Sequence, residues 1–94
     1  MKRTIEYSPA YLKKAIKFAR KNPRLRKQYS ETLNRLADNP FDLTLHTQAL
    51  TGDLKGKYAC SLTYDLRIVF KLSNDILSND IVHLLDIGSH GEVY

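Results

Sequence analysis

The chain has 94 residues, enough to close one small hydrophobic core and too few for a second, so a single domain over 1–94 is expected. Fifteen Lys and Arg against ten Asp and Glu give a formal charge of +5, which favours polyanionic partners, and 43% hydrophobic residues exclude a disordered chain. The lone Cys60 excludes an internal disulfide, no apolar run is long enough to span a membrane or direct secretion, and His46, His83 and His90 lie too far apart for a zinc site. A cytoplasmic protein with no membrane association and no zinc is therefore expected, and nothing in these residues calls for another cofactor.

Thr4 to Tyr7 alternate polar and apolar, the pattern of a short half-buried strand. Ser8-Pro9 then supplies an N-cap and a proline at the first helical position, and Leu12, Ala15, Ile16 and Ala19 follow at the spacing of one helical face. This predicts a helix over Pro9 to Lys21. Asn22-Pro23 repeats the start signal, with Leu25, Tyr29, Leu33 and Leu36 at helical spacing until Asp38-Asn39-Pro40 stops it. The other faces of this helical hairpin carry Lys13, Lys14, Lys17, Arg20, Lys21, Arg24, Arg26 and Lys27, either as a solvated surface or as a nucleic-acid or ribosome contact.

Phe41 to Gly56 has no sustained period and reads as a loop with tight turns at Gly52 and Gly56. Strand alternation follows. Tyr58, Cys60 and Leu62 alternate with Lys57, Ala59, Ser61 and Thr63, and Leu66, Ile68, Phe70 and Leu72 with Asp65, Arg67, Val69 and Lys71. Tyr64-Asp65 between them predicts a tight antiparallel hairpin. Two turn-rich triplets bracket Ile76 and Leu77, too few for more than a minor element, and Ile81 to Ile87 is nearly all apolar, as a central strand covered on both sides would be, with Gly88 ending it.

The predicted order is β-α-α-β-β-β, an α+β fold with the helical hairpin packed on one face of a small, mainly antiparallel sheet. If Leu66, Ile68 and Phe70 face the helices, then Asp65, Arg67 and Lys71 face the opposite side, which this layering leaves free. Arg67 is costly to bury, so it faces water or an anion-binding cleft, unless it pairs with Asp65 or Asp86. His83, inside the apolar last strand, reads as a packed or hydrogen-bonded structural histidine, and His46 in its polar loop as either a solvated side chain or a catalyst.

The blocks Leu54-Lys55-Gly56, Tyr64-Asp65-Leu66-Arg67-Ile68-Val69-Phe70 and Leu84 to Tyr94 together resemble the RelE/ParE superfamily of toxins, nearest to the RelE and YafQ-type messenger-RNA interferases. The likeness follows the element order of the whole chain. It implies the toxin of a type II toxin–antitoxin pair, a cytoplasmic ribonuclease that cuts messenger RNA in the ribosomal decoding site without a metal, and an acidic antitoxin that wraps it in a hetero-oligomer. The implied reaction is attack of a ribose 2′-hydroxyl on the adjacent phosphate, leaving a 2′,3′-cyclic phosphate and a free 5′-hydroxyl. It requires a base, an acid and cations near the phosphorane.

The resemblance assigns Arg67 to the scissile phosphate, His90 to general acid or base chemistry, Asp65 to orienting or activating a neighbour, and Tyr94 to stacking or proton transfer. It gives Lys55 and Lys57 phosphate-binding or catalytic roles; Lys71 and Gln48 join them as candidate RNA contacts. The chain also departs from the pattern. Gln48 stands where the YafQ-like branch usually has a histidine, so either the loop is shifted and His46, two residues earlier, takes over, or the second imidazole is missing; Ser61 replaces another histidine, and Gly91 an acid. The superfamily also holds ParE-type poisons of DNA gyrase, a second reading, and a member that only binds antitoxin or RNA is a third. Thr51-Gly52-Asp53-Leu54-Lys55-Gly56 lacks the GK[ST] ending of a P-loop, which sets nucleotide hydrolysis aside.

Overall fold

A computed structural model describes residues 2–74 and 80–93. The expected Ile76–Leu77 element and Tyr94 lie outside the described residues. Strand β1 (Thr4–Tyr7) leads into helix α1 (Pro9–Lys21), a 3-10 turn at Pro23–Leu25 and helix α2 (Arg26–Asp38). After 3-10 turns at Leu43–Leu45 and Gly52–Leu54, which flank the short β2 (Gln48–Ala49), come β3 (Tyr58–Ser61), β4 (Leu66–Asn74), β5 (Asp80–Ser89) and a short helix α3 (His90–Val93). The sheet runs β1-β5-β4-β3-β2, with β1 parallel to β5 and the other pairs antiparallel.

The α+β layering is as the sequence predicts, and α1 starts as its signals require: the Ser8 hydroxyl accepts from Tyr11 N–H at 3.0 Å, with Pro9 in the first turn. Its buried face differs. Tyr11, Ala15 and Phe18 pack into the core, while Leu12 and Ile16 stay 44% and 53% exposed. Apolar residues occupy both candidate stripes of this helix, and the larger aromatic area of Tyr11 and Phe18 decides which one is buried. The core then joins Tyr11 and α2's Leu36 to Leu45, Cys60, Ile68, Phe70, Val82, Leu84 and Ile87.

Four further expectations are corrected. The Phe41 to Gly56 loop contributes an edge strand: Gln48 and Ala49 pair with Ala59 and Tyr58, although two residues are too few to show a sequence period. The β3–β4 connection is wider than a two-residue turn, with Ser61 paired to Arg67 and the Leu62 and Thr63 N–H groups both donating to the Leu66 carbonyl. Gly88 does not end β5; it lies within the strand, opposite Arg67.

The fourth correction concerns the free face of the sheet. Val69 pairs with Asp86 and Phe70 with Leu84, leaving Leu85 as the extra residue of a bulge. This phase change returns Ile87 to the helix side, while Leu85 joins Ala59, Val69, Leu50 and the buried Val93 on the other. So α3 folds back onto the face expected to be open and covers its middle. It can approach because residue 88 is glycine: a Cβ there would stand 3.3 Å from Val93 Cγ1 and 3.4 Å from Glu92 Cβ.

Candidate active site

Strand alternation places Arg67 on the face opposite the two long helices, in a depression of about 420 Å3 that it lines with His46, Gln48, Ala59, Ser61, Thr63 and Tyr64. The alternative reading of Arg67, an ion pair with Asp65 or Asp86, is not what the structure shows. Asp86 instead accepts from Lys14 Nζ at 2.7 Å, and Arg67 has no carboxylate partner among the described residues. Its Nη1 reaches the carbonyls of Thr63 and Tyr64 at 2.9 Å and of Leu66 at 3.1 Å. These bonds moor the guanidinium to the β3–β4 turn, while its Nε and Nη2 have no acceptor among the described residues. A guanidinium moored on one nitrogen, with donors left over, suits an anion.

His46 borders the same depression from the end of the Leu43–Leu45 turn, where it adopts φ 49, ψ 42, in the left-handed region. A non-glycine residue there costs of order 1 kcal/mol, and His is among the types that tolerate it. The loop thus supplies an imidazole to the pocket although Gln48, also in its lining, occupies the position where the resemblance leads one to look for a histidine.

Two pocket residues escaped the sequence reading. Tyr64 is 94% exposed beside Arg67, and Thr63 holds the turn by accepting from Leu66 N–H at 3.2 Å through its hydroxyl. A tyrosine at a turn carries no periodic signal, so only its placement beside the arginine brings it into the site.

The remaining candidates are distributed around this centre. His90 opens α3, and its N–H donates to the Asp65 carbonyl at 3.2 Å, which ties the helix to the β3–β4 turn. Glu92 fixes the same helix by accepting from Ser89 N–H at 2.9 Å. That bond and the Ser89 hydroxyl hold its carboxyl below the usual range, with smaller help from Lys21 and Lys14. Neither His90 nor Asp65 lines the Arg67 pocket, and Lys55 and Lys57 flank Gly56 outside it. Lys71 is four residues farther along β4, roughly 13 Å away at strand rise, in another depression with Glu6 and His83. There His83 is the hydrogen-bonded structural residue its strand position predicts, 3.2 Å from Glu6 and 2.6 Å from the Ser73 hydroxyl.

This arrangement of an α-helical hairpin on a five-stranded sheet is a fold already known among bacterial toxins. The chain is similar in structure to the YoeB/ParE toxin from Agrobacterium tumefaciens, at a TM-score of 0.78 and 16% identity over 93% of this chain and 98% of that one. It is equally similar to YafQ from E. coli, at 0.78 and 20% identity over 98% of both chains. It also matches a chain of the E. coli DinJ-YafQ toxin–antitoxin complex, at 0.76 and 22% identity over 100% and 99%. The RelE-like layout read from the sequence is therefore the observed fold. No protein-family model and no curated protein sequence matches the chain.

Proposed function

We propose that this protein is the toxin of a type II toxin–antitoxin pair and acts as a ribosome-dependent, metal-independent endoribonuclease on messenger RNA. The observation that carries this reading is the Arg67 guanidinium, moored by one nitrogen and open to an exposed pocket that an imidazole and a tyrosine share. The fold it has in common with YafQ and the YoeB/ParE toxin supports the same reading.

In this mechanism the scissile phosphate lies against Arg67 Nε and Nη2, which bear on the growing charge of the phosphorane. His46 takes the proton of the 2′-hydroxyl as its oxygen bonds to phosphorus. His90, carried by α3 at the border of the turn, returns a proton to the departing 5′-oxygen, so the products are a 2′,3′-cyclic phosphate and a 5′-hydroxyl. Gln48 and Asp65 orient these groups, Tyr64 and Tyr94 stack on flanking bases, and Lys55, Lys57 and Lys71 contact neighbouring phosphates. The partner in the resting cell is an acidic antitoxin, attracted by the +5 charge, just as DinJ accompanies YafQ in its complex.

Brief expression without a partner should stop protein synthesis before DNA synthesis, and primer extension on cellular messengers should show discrete cuts within translated codons. Intact messengers with early DNA damage would replace this reading with gyrase poisoning. Uninhibited growth of cells producing soluble protein would leave only binding.

A further inference from the structure

At the end of the sheet where β4 begins and β5 stops, the Arg67 pocket has a counterpart on the helix side. A groove of about 460 Å3 runs between α1 and the sheet, lined by Lys14, Lys17 and Lys21, with Leu66, Gly88 and Glu92 among its other residues. The three lysines are spaced three and four residues apart and so share one face of α1, a helix with no acidic residue. Lys14 is held by Asp86, whereas Lys17 and Lys21 are exposed and form no salt bridge among the described residues, Lys21 acting on Glu92 only at longer range.

The groove and the pocket are neighbours through the backbone. Leu66 directly precedes Arg67 on β4, and Gly88 is Arg67's partner on β5, so consecutive residues turn one side chain to each cavity around the same rim. We propose that the groove is a second binding site, for the sugar–phosphate backbone of the single-stranded RNA whose scissile phosphate sits at Arg67. Lys17 and Lys21 contact phosphates a few nucleotides from the cut. The proposal rests on the nuclease reading above.

Among the described residues that line the groove, Glu92 is the one carboxylate, and the nearby Asp86 is held by Lys14. The Glu92 Oε1 is turned onto the Ser89 N–H, and it tempers the groove without filling it. A ligand of single negative charge gains little from two separated lysines, whereas a polyanion with regularly spaced phosphates meets both at once and releases a counterion at each.

The test uses the whole protein and fully 2′-O-methylated RNA, which binds but cannot react, as a roughly 12-nucleotide strand and as a trinucleotide of the same central sequence. K17Q/K21Q should weaken binding of the longer strand about tenfold and flatten its log–log salt dependence by about 1.4, the contribution of two phosphate contacts on a single strand. Trinucleotide binding should be unchanged, and Glu92→Gln, which keeps the Ser89 bond, should tighten only the longer strand. Unchanged affinity and salt slope in K17Q/K21Q, or equal weakening for both lengths, would overturn the groove assignment. So would dependence on these lysines of poly-glutamate binding alone, which would mark an acidic-protein site. Absence of messenger cleavage by the wild type would instead remove the nuclease reading, and the two failures are read in separate assays.

Discussion

Arg67 commits Nη1 to three carbonyls and presents its other nitrogens to the pocket, so its replacement has two separable effects. Arg67→Ala should lower single-turnover cleavage by about two to three orders of magnitude. It should also lower unfolding stability by only about 1 kcal/mol, the worth of the turn bonds, measured by denaturant titration. His46 allows a sharper separation because its backbone is left-handed. Glycine at that position relieves the conformation while removing the imidazole, so His46→Gly should keep or raise the melting temperature and yet slow cleavage by about two to four orders. Full activity in His46→Gly would place the base elsewhere. Tyr64→Ala should raise KM by about 1–3 kcal/mol equivalent and leave kcat nearly unchanged, as loss of a stacking platform does.

At the scale of elements, α3 is the part that carries His90, and the proposed proton transfer depends on where it is held. Four residues cannot hold a helix on their own; this one stays because Val93 is buried, Glu92 caps it, and Gly88 lets it approach. Gly88→Val would push branched methyls into Val93 and Glu92, already 3.3–3.4 Å from a bare Cβ. The main core lies on the opposite face, so thermal stability should fall by only about 1–3 kcal/mol, while cleavage falls to the level of His90→Ala because His90 is displaced with its helix. A Gly88→Val protein that cleaves normally would show that α3 takes no part in the reaction. The bulge at Leu85 belongs to the same device, since it gives β5 an apolar side chain for α3 without removing Ile87 from the helix side.

For the molecule as a whole, the buried ionisable groups set its tolerance of alkali. Burial pushes the Cys60 thiol from 9.0 up to about 12, and it raises the Tyr11 hydroxyl as well. A group with a raised folded pKa contributes fully below its unfolded value, and that contribution is lost as pH rises toward the folded one. The melting temperature should therefore begin to fall above about pH 9 and go on falling toward 12, Cys60 alone accounting for up to about 4 kcal/mol. Cys60→Ala should start from a lower stability because of the cavity, but with a shallower alkaline decline. Equal slopes in the two proteins would show that Cys60 does not control it.

Periods of two and of 3.6 in the chain, together with Ser8-Pro9 and Asn39-Pro40, were sufficient for the helical hairpin, the strand alternation and the face on which Arg67 stands, because these are local consequences of backbone geometry. The burial of Tyr11 in place of Leu12 was not legible, since two apolar stripes compete on α1 and only the packed sheet selects between them. Nor were β2 and α3, each too short to impose a period, or the bulge that turns Ile87 inward. The residue types of the site came from the sequence and the resemblance it carries. Tertiary structure alone decided that His46, Gln48 and Tyr64 share a pocket with Arg67 while Lys71 lies apart with His83, because pairing and register set distances between residues remote in the chain.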